Sequence, residues 1–361
     1  MNERITQLQQ SLIAHNVDLV AIGPTNNMRY LAGYAPHPDE RLCLLLISPE
    51  RVQVVAPALN AEDWMMHTGI PPIIWEDSAG PDKALAAALA RMPALRRLAF
   101  DGATRADFLM TLLTAARPDA VQSADALLAP LRARKSSEEI EALQRAAAQA
   151  DRAMQAAMAA CKPGVTEAEV AWETEAAFRQ DGAESVEFTL IASGPNGAFP
   201  HHHSGSRPLQ AGDAIIIDIG ASLNGYKSDI TRMVFLGQPS AEFLAAYHAV
   251  LEANRTGRAA VRPGIPAQEI DRAARGVLQA AGLGDYFVHR TGHGIGLDVH
   301  EPPWIMEGND MLLEPGMTFS VEPGVYLPGR FGVRIEDIVT VTKTGARTLT
   351  GFEHALVIKD F

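Results

Sequence analysis

The spacing of apolar and polar positions divides the chain into two parts. In the first third, segments with helical spacing, such as ERITQLQQSLIAHN and DKALAAALARM, alternate with short apolar runs typical of strands, such as LCLLLIS and VQVVAP. This alternation predicts a smaller α/β domain over residues 1–130. The charged segment LRARKSSEE indicates the junction with a second domain over residues 131–361.

The pattern of the second domain is a helix pair and a hairpin, followed by another helix pair and another hairpin. Two capping boxes, Ser136 with Glu139 and Thr166 with Glu169, predict where the first two helices begin. AIIIDIGASLNGYKSDITRMVFLG predicts two strands around an Asn-Gly turn, and MTFSVEPGVYL with GVRIEDIVTVT predicts a second hairpin. The fold class is therefore α+β, with helices packed on antiparallel sheet.

Composition and charge exclude several classes of protein. The chain has 361 residues and a formal net charge of −12 at pH 7, so no basic face for nucleic acid is expected. No run approaches the roughly 18 apolar residues of a membrane span, and the polar start MNERITQLQQSL is unlike a signal peptide. Two cysteines, Cys43 and Cys161, are too few for a disulfide framework. We expect a soluble cytoplasmic protein.

Four acidic residues stand within apolar strand patterns of the second domain. They are Asp218, Asp229, Glu322 and Glu336. Asp218 follows AIII, and Asp229 comes close to opposite it in the predicted hairpin. Buried carboxylates that face each other repel unless they share a proton or a cation, which a divalent metal would supply. Alternatively, each acid caps a turn or pairs with an arginine such as Arg232 or Arg334.

The stretch HRTGHGIGLDVHEPP contains three histidines, His289, His293 and His300. The first two stand four residues apart, which is the spacing of two zinc ligands on one helical face. Glycines at positions 292, 294 and 296 argue against a regular helix there. The residues alone leave metal binding, acid–base chemistry and a polar loop as interpretations.

These motifs, taken in order, resemble one known family. Asp218 in IDIG, Asp229 in SDITR, His293 in GHGIG, Glu322 in VEPG and Glu336 in RIED are similar to the pita-bread metallopeptidases, family M24. The resemblance covers essentially the whole second domain and implies a pita-bread fold for it. The preceding α/β domain resembles the branch that contains prolidase, aminopeptidase P and creatinase, rather than methionine aminopeptidase.

The resemblance implies two divalent metal ions held by these five residues. Asp218 would bind one ion, while Asp229 and Glu336 would bridge both. His293 and Glu322 would complete the other site. Because all five positions are present, the metal-free state of creatinase is not expected. Mn²⁺ is the expected metal, with Co²⁺ or Zn²⁺ as alternatives, and two such ions would activate water and polarise the substrate carbonyl.

The resemblance also implies catalytic roles around the metals. His201, which follows proline in SGPNGAFPHHHSG, and His300 in VHEPP would bind the substrate and support its tetrahedral intermediate. His289 would have a substrate-side or supporting role. Glu322, or another metal-bound carboxylate, would transfer the proton that hydrolysis requires.

Two further residues match family positions, and two do not. Arg334 would help to order the acidic residues, and Tyr326 matches a tyrosine of many peptidase members. Both are candidate substrate-binding residues. His202 and His203 have no implied role, so we interpret the HHH run as loop composition rather than a metal site.

The implied activity is hydrolysis of the bond before proline at the N-terminus of short peptides, first as an Xaa-Pro dipeptidase. Aminopeptidase P, which accepts longer peptides, is the alternative within the family. A non-peptidase hydrolase or lyase of a small molecule is an alternative of another class. A silent binding module predicts missing ligands, and none is missing. The expected partners are a small peptide with proline at position 2 and a second copy of the chain in a homodimer.

Overall fold

The computed structural model describes residues 3–360, which form two compact units that divide between Arg132 and Ala133. Each unit has a hydrophobic core of its own. Within residues 3–360, every helix is too short or too polar to cross a membrane.

The N-terminal unit is built around a six-stranded mixed sheet. Its strands are β1 Leu19–Ile22, β2 Leu44–Ile47, β3 Val52–Pro57, β4 Ile73–Trp75, β5 Arg97–Phe100 and β6 Ala120–Ser123. Its helices are α1 Glu3–Ala14, α2 Asn26–Ala32, α3 Ala58–Thr68, α4 Asp82–Leu89, α5 Ala106–Ala116 and α6 Asp125–Ala133. The strand order is β4-β3-β2-β1-β5-β6, with β2 antiparallel to both of its neighbours. The predicted alternation of helices and strands is confirmed, although apolar spacing does not predict β6, whose four residues are all exposed.

The second unit combines four long helices with two sheets and a two-stranded ribbon. The helices are α7 Ser137–Ala160, α8 Glu167–Gln180, α9 Ala241–Ala260 and α10 Gln268–Ala280. The first sheet has the order β18-β10-β8-β7, from β18 Val357–Lys359, β10 Ile230–Leu236, β8 Ala214–Leu223 and β7 Ser185–Ser193, with β9 Tyr226–Lys227 added to β8. The second sheet has the order β12-β11-β13-β16-β17, from β12 Glu301–Ile305, β11 Gly292–Gly294, β13 Thr318–Val321, β16 Asp337–Val341 and β17 Ala346–Thr348. The ribbon pairs β14 Gly324–Leu327 with β15 Phe331–Arg334, and all of these strand pairs are antiparallel except β10 with the short edge strand β18.

Local signals predict the first half of this unit well. Both capping boxes are present: Ser136 and Thr166 each accept from the backbone N–H three residues later. The Asn-Gly turn joins β8 to β9, with Asn224 and Gly225 at φ of 52° and 83°. The predicted α+β arrangement, with helices against antiparallel sheet, is confirmed.

Strand β8 supports a core on each face because its side chains alternate. Ile215, Ile217 and Ile219 pack in the core with α7 and α8. Ile216 packs instead in the core with α9 and α10. Asp218 lies on the same face of β8 as Ile216. Its carboxylate therefore points away from the core that Ile215, Ile217 and Ile219 share with α7 and α8.

The predicted second hairpin is confirmed, because its two segments pair antiparallel in one register, but the hairpin is interrupted in the middle. Each of its two predicted strands is broken, at Glu322-Pro323 and at Ile335-Glu336. Proline has no N–H for strand pairing, so pairing of β13 with β16 stops there and resumes in the same register between β14 and β15. The two breaks place Glu322 and Glu336 at strand ends rather than inside a ladder.

Candidate metal centre

The five residues predicted to bind metal line one cavity of about 1000 Å³. We call Asp218, Asp229, His293, Glu322 and Glu336 the acidic site. Asp218 lies within β8 and His293 within β11, whereas the other three stand next to strand ends. Residues that are far apart in the chain therefore meet where strand ends of the two sheets approach each other.

Glycines on both sides of His293 allow three strands to approach closely. A side chain at Gly292 would place its Cβ 1.9 Å from the Ser320 carbonyl oxygen, and one at Gly294 would place it 2.2 Å from that of Pro302. Both distances are far shorter than a van der Waals contact, so only glycine fits at these positions. His293 donates its backbone N–H to Ser320 Oγ at 3.0 Å. As expected from the glycines, this segment is a strand and not a helix.

The most buried members of the acidic site form a compact group. Ligand atoms of Asp229, His293 and Glu336 all lie within 4.8 Å of one another. Each of these side chains is buried. Thr231 Oγ1 donates to Glu336 Oε2 at 2.8 Å. Two carboxylates and one imidazole at this spacing are a suitable ligand set for a divalent ion.

Asp218 and Glu322 complete the acidic site, and each has a donor from the protein. Arg334 Nη2 donates to Asp218 Oδ2 at 2.5 Å. Glu322 Oε1 accepts from Ser320 Oγ at 3.2 Å and lies 3.2 Å from His293 Nε2. Pairing with an arginine, the alternative to metal binding, therefore accounts for one oxygen of Asp218 but not for the group.

Two details differ from the simplest sequence interpretation. In the ladder between β8 and β10, Asp218 lies opposite Thr231, because Asp229 precedes β10. Arg232, which the sequence offered as a partner for the acidic residues, pairs with Asp337 at 2.8 Å. Neither difference removes a carboxylate from the cavity.

The electrostatics of the acidic site fit a missing positive charge. Asp218 Oδ1 and Glu336 Oε1 are buried without a hydrogen-bond partner among the described residues. Burial, followed by the charges of neighbouring carboxylates, raises the pKa of Asp229 and that of Glu336 well above their ordinary values. Uncompensated carboxylate oxygens beside one imidazole are the donor set of a divalent cation, so these residues fit the metal that the resemblance implies.

A chain of hydrogen bonds connects Asp218 to His289. Arg334, which donates to Asp218, also donates through Nη1 to Tyr326 Oη at 2.7 Å. Tyr326 Oη lies 2.8 Å from His289 Nε2, and His289 Nδ1 lies 2.7 Å from the Arg290 carbonyl oxygen. A carbonyl can only accept, and burial lowers the pKa of His289, so the neutral ring carries its proton on Nδ1. Nε2 then accepts from the Tyr326 hydroxyl.

His300 and His201 line the same cavity with exposed side chains. The rings of His300 and His293 are 4.1 Å apart between centroids and nearly perpendicular. Partial loss of hydration, followed by the positive charges of His293 and Arg290, lowers the pKa of His300 to about 4. His300 is therefore neutral at pH 7 and can donate one N–H to an oxygen in the cavity.

Glu167 is a buried carboxylate that no motif singles out. It lies at the first residue of α8 and is 0% exposed. Its donors are the Ser193 N–H, Ser193 Oγ, Asn196 Nδ2 and the Gly205 N–H, at 2.6–3.2 Å. Glu167 Oε2 also lies 2.7 Å from His202 Nε2, so the middle histidine of HHH anchors the loop. Acidic residues are common in the first turn of a helix because they interact favourably with the helix dipole. The sequence therefore gives no sign that Glu167 also holds a loop.

Other cavity residues also lack a sequence signal. The wall includes Ala168, Ala171, Trp172, Phe188, Leu190 and Arg290. Their apolar members are ordinary helix and strand residues by pattern. For Arg290, the one hint is its position beside His289 in HRTGH.

Comparison with known proteins places this geometry in a family. Residues 141–343 match metallopeptidase family M24, and residues 4–134 match the creatinase/prolidase N-terminal domain. The chain is 39% identical over 345 residues to the probable dipeptidase PepE of Mycobacterium tuberculosis, covering 94% of this chain and 91% of that protein. It is 33% identical over 358 residues to the Xaa-Pro dipeptidase of Pyrococcus horikoshii, covering 99% of each.

A solved structure agrees over the whole length. The crystal structure of a dipeptidase from Pyrococcus horikoshii superimposes with a TM-score of 0.94 at 36% identity, covering 99% of this chain and 100% of that one. The predicted fold, a pita-bread domain preceded by a smaller α/β domain, is confirmed. The chain belongs to metallopeptidase family M24.

Proposed function

We propose that the chain is an Xaa-Pro dipeptidase, which hydrolyses the bond between an N-terminal residue and proline. The observation that carries this proposal is the acidic site, where two buried carboxylate oxygens lack a partner among the described residues beside a cavity large enough for a dipeptide. The relatives named dipeptidase and Xaa-Pro dipeptidase support the choice of substrate.

The acidic site would hold two divalent ions, with Mn²⁺ as the first candidate and Co²⁺ or Zn²⁺ as alternatives. Asp229 and Glu336 would be shared between the ions, and their burial close to His293 supports a ligand role for both. Asp218 would bind one ion, and His293 and Glu322 the other. When bound, such ions supply Lewis-acid activation of water and of the substrate carbonyl.

Glu322 is the proposed proton carrier. Burial would raise its pKa, but the hydrogen bond with His293 and the positive charges of His293 and Arg334 hold that pKa below its ordinary value. The carboxylate is therefore ionised and can accept a proton from the attacking water. It would then release that proton to the proline nitrogen as the peptide bond breaks.

His300 and His201 are the proposed substrate-binding residues of the cavity wall. The neutral His300 would donate a hydrogen bond to the carbonyl oxygen as negative charge develops there. His201 would orient the peptide from the loop that His202 and Glu167 anchor. Tyr326 is only 4% exposed, so we expect it, with His289, to act by holding Arg334 and Asp218 in place rather than by touching the peptide.

Turnover by metal-loaded protein tests this proposal. Separate samples loaded with Mn²⁺, Co²⁺ or Zn²⁺ would be assayed with an Xaa-Pro dipeptide, an Xaa-Pro-Yaa tripeptide and a dipeptide without proline. We expect the Xaa-Pro dipeptide to be hydrolysed best. Cleavage of the tripeptide alone would instead indicate aminopeptidase P, and metal binding without any peptide hydrolysis would indicate a small-molecule hydrolase or lyase.

Two expectations about the protein in solution also stay predictions. The substrate would be a small peptide with proline at position 2, and the chain would form a homodimer. Sedimentation of the metal-loaded protein would show the number of subunits.

A further inference from the structure

The cavity contains two arginines, and their surroundings differ. Arg334 donates hydrogen bonds to Asp218, Tyr326 and Thr231, at 2.5, 2.7 and 3.3 Å. The Arg290 guanidinium, in contrast, makes no ion pair or hydrogen bond with any residue in the part of the chain that the structure describes. Its observed contact is with the Trp304 ring, whose centroid lies 4.5 Å from the guanidinium carbon.

Arg290 lies close to the acidic site. Its side chain lines the same cavity as the five acidic-site residues and His300. Burial lowers the pKa of Arg290, although the group stays protonated at neutral pH. A partly buried guanidinium without an anion is costly unless a ligand supplies one.

The Trp304 contact leaves the binding edge of Arg290 available. When a guanidinium stacks on an aromatic ring, the ring fixes the orientation of the guanidinium plane, and the N–H groups at the edge of that plane stay available for hydrogen bonds. Those N–H groups form a fork that matches the two oxygens of a carboxylate. An Xaa-Pro dipeptide carries such a carboxylate one residue beyond the bond to be cleaved.

We propose that Arg290 binds the free α-carboxylate of the dipeptide's proline and thereby selects dipeptides over peptides extended at that end. The assignment rests on the proposed dipeptidase function. Trp304 would be a positioning residue that holds the Arg290 plane. The guanidinium would contribute to substrate binding more than to the chemical step.

Neutralising the carboxylate of the substrate tests the assignment. Wild-type protein and Arg290→Ala, both metal-loaded, would be assayed with an Xaa-Pro dipeptide and with its C-terminal amide. We expect Arg290→Ala to lower kcat/KM for the free acid by about ten- to fiftyfold, mainly through KM, and to leave the amide nearly unchanged. Trp304→Leu should lower kcat/KM for the free acid by a smaller factor and should also leave the amide nearly unchanged. Arg262→Ala removes an exposed arginine outside the cavity and should affect neither substrate.

Product binding gives a readout that does not depend on turnover. Titration calorimetry with L-proline and L-prolinamide should show that wild type prefers L-proline and that Arg290→Ala loses this preference. Equal losses for acid and amide in Arg290→Ala, or unchanged binding of L-proline, would overturn the assignment while leaving the dipeptidase function intact. Loss confined to dipeptides with an acidic first residue would also overturn it, because Arg290 would then bind a side chain. If wild type neither cleaves nor binds proline compounds, the proposed function and the assignment both fail.

Discussion

Two buried glutamates of the second unit, Glu167 and Glu336, have opposite surroundings. Glu167 accepts hydrogen bonds on both carboxylate oxygens, and the bonds from Ser193, His202 and Asn196 outweigh burial and lower its pKa. Glu336 has one donor, and its other oxygen has no partner within residues 3–360, while burial with neighbouring carboxylates raises its pKa.

The contrast separates a structural carboxylate from one available to a ligand. Burial is nearly equal, at 0% exposure for Glu167 and 2% for Glu336, so burial alone does not distinguish them. The number of hydrogen-bond donors that the protein provides to each carboxylate does distinguish them. A carboxylate whose oxygens are filled by the protein stabilises the fold, whereas one left among like charges requires an external cation.

The largest effect should follow from Asp229→Ala. Loss of a ligand that we propose both ions share should lower kcat/KM by at least about a thousandfold, or about 4 kcal/mol of transition-state stabilisation. Metal binding by calorimetry should be lost together with turnover. Without metal, the variant should be at least as stable as wild type, because a carboxylate has been removed from a repulsive group.

Urea unfolding of the metal-free variant checks the second part of this prediction. A lower free energy of unfolding for Asp229→Ala would mean that Asp229 stabilises the fold in the way Glu167 does. Retained turnover would contradict a mechanism based on two ions.

The next effect should come from adding metal. A ligand that binds only the folded state at a hundred times its Kd stabilises it by about 2.7 kcal/mol. We expect that order of gain for wild type with saturating Mn²⁺ after treatment with a chelator, measured as a rise in the free energy of unfolding. Glu167→Gln should gain as much, since its site is intact, whereas Asp229→Ala should gain little. Equal gains in all three proteins would place the metal outside the acidic site.

Local features of the fold could be predicted from the sequence. The caps at Ser136 and Thr166 and the turn at Asn224-Gly225 depend on neighbours within a few residues, so their motifs are sufficient. The second hairpin is predicted as a pair of strands, whereas its interruption at Pro323 is not marked by the pattern of apolar residues.

The candidate site divides in the same way. Apolar strands interrupted by acids indicate a charged site, and the resemblance identifies which acids take part, such as Glu336. Neither indicates that Glu167 binds a loop, because its donors come from residues brought near by the fold. Arg290 could not be recognised either, since what distinguishes it is the absence of a partner among the described residues, and partners are a property of the structure.

A smaller effect is expected when Glu167 is changed to Gln. The amide keeps the volume but lacks the charge and presents an NH₂ group to donors, so we expect a loss of about 2 kcal/mol in the free energy of unfolding. Glu173→Gln, on an exposed position of the same helix, should leave that free energy unchanged. If the two variants lose equally, the hydrogen bonds of Glu167 do not stabilise the fold.

The smallest effect is a slope in the pH dependence of stability. The pKa of Glu167 is lower in the folded state than the roughly 4.3 of an unfolded glutamate, so the unfolded state binds more protons in the interval between the two values. Stability from this group is present above that unfolded value and is lost as pH falls through the folded value, by up to about 1.4 kcal/mol per pH unit. Urea unfolding of chelator-treated protein between about pH 6 and pH 3 should therefore give a steeper decline for wild type and Glu173→Gln than for Glu167→Gln. If the free energy of unfolding fell equally with pH in all three proteins, Glu167 would bind its proton equally well in the folded and the unfolded state. Its hydrogen bonds would then distinguish it from Glu336 in geometry but not in energy.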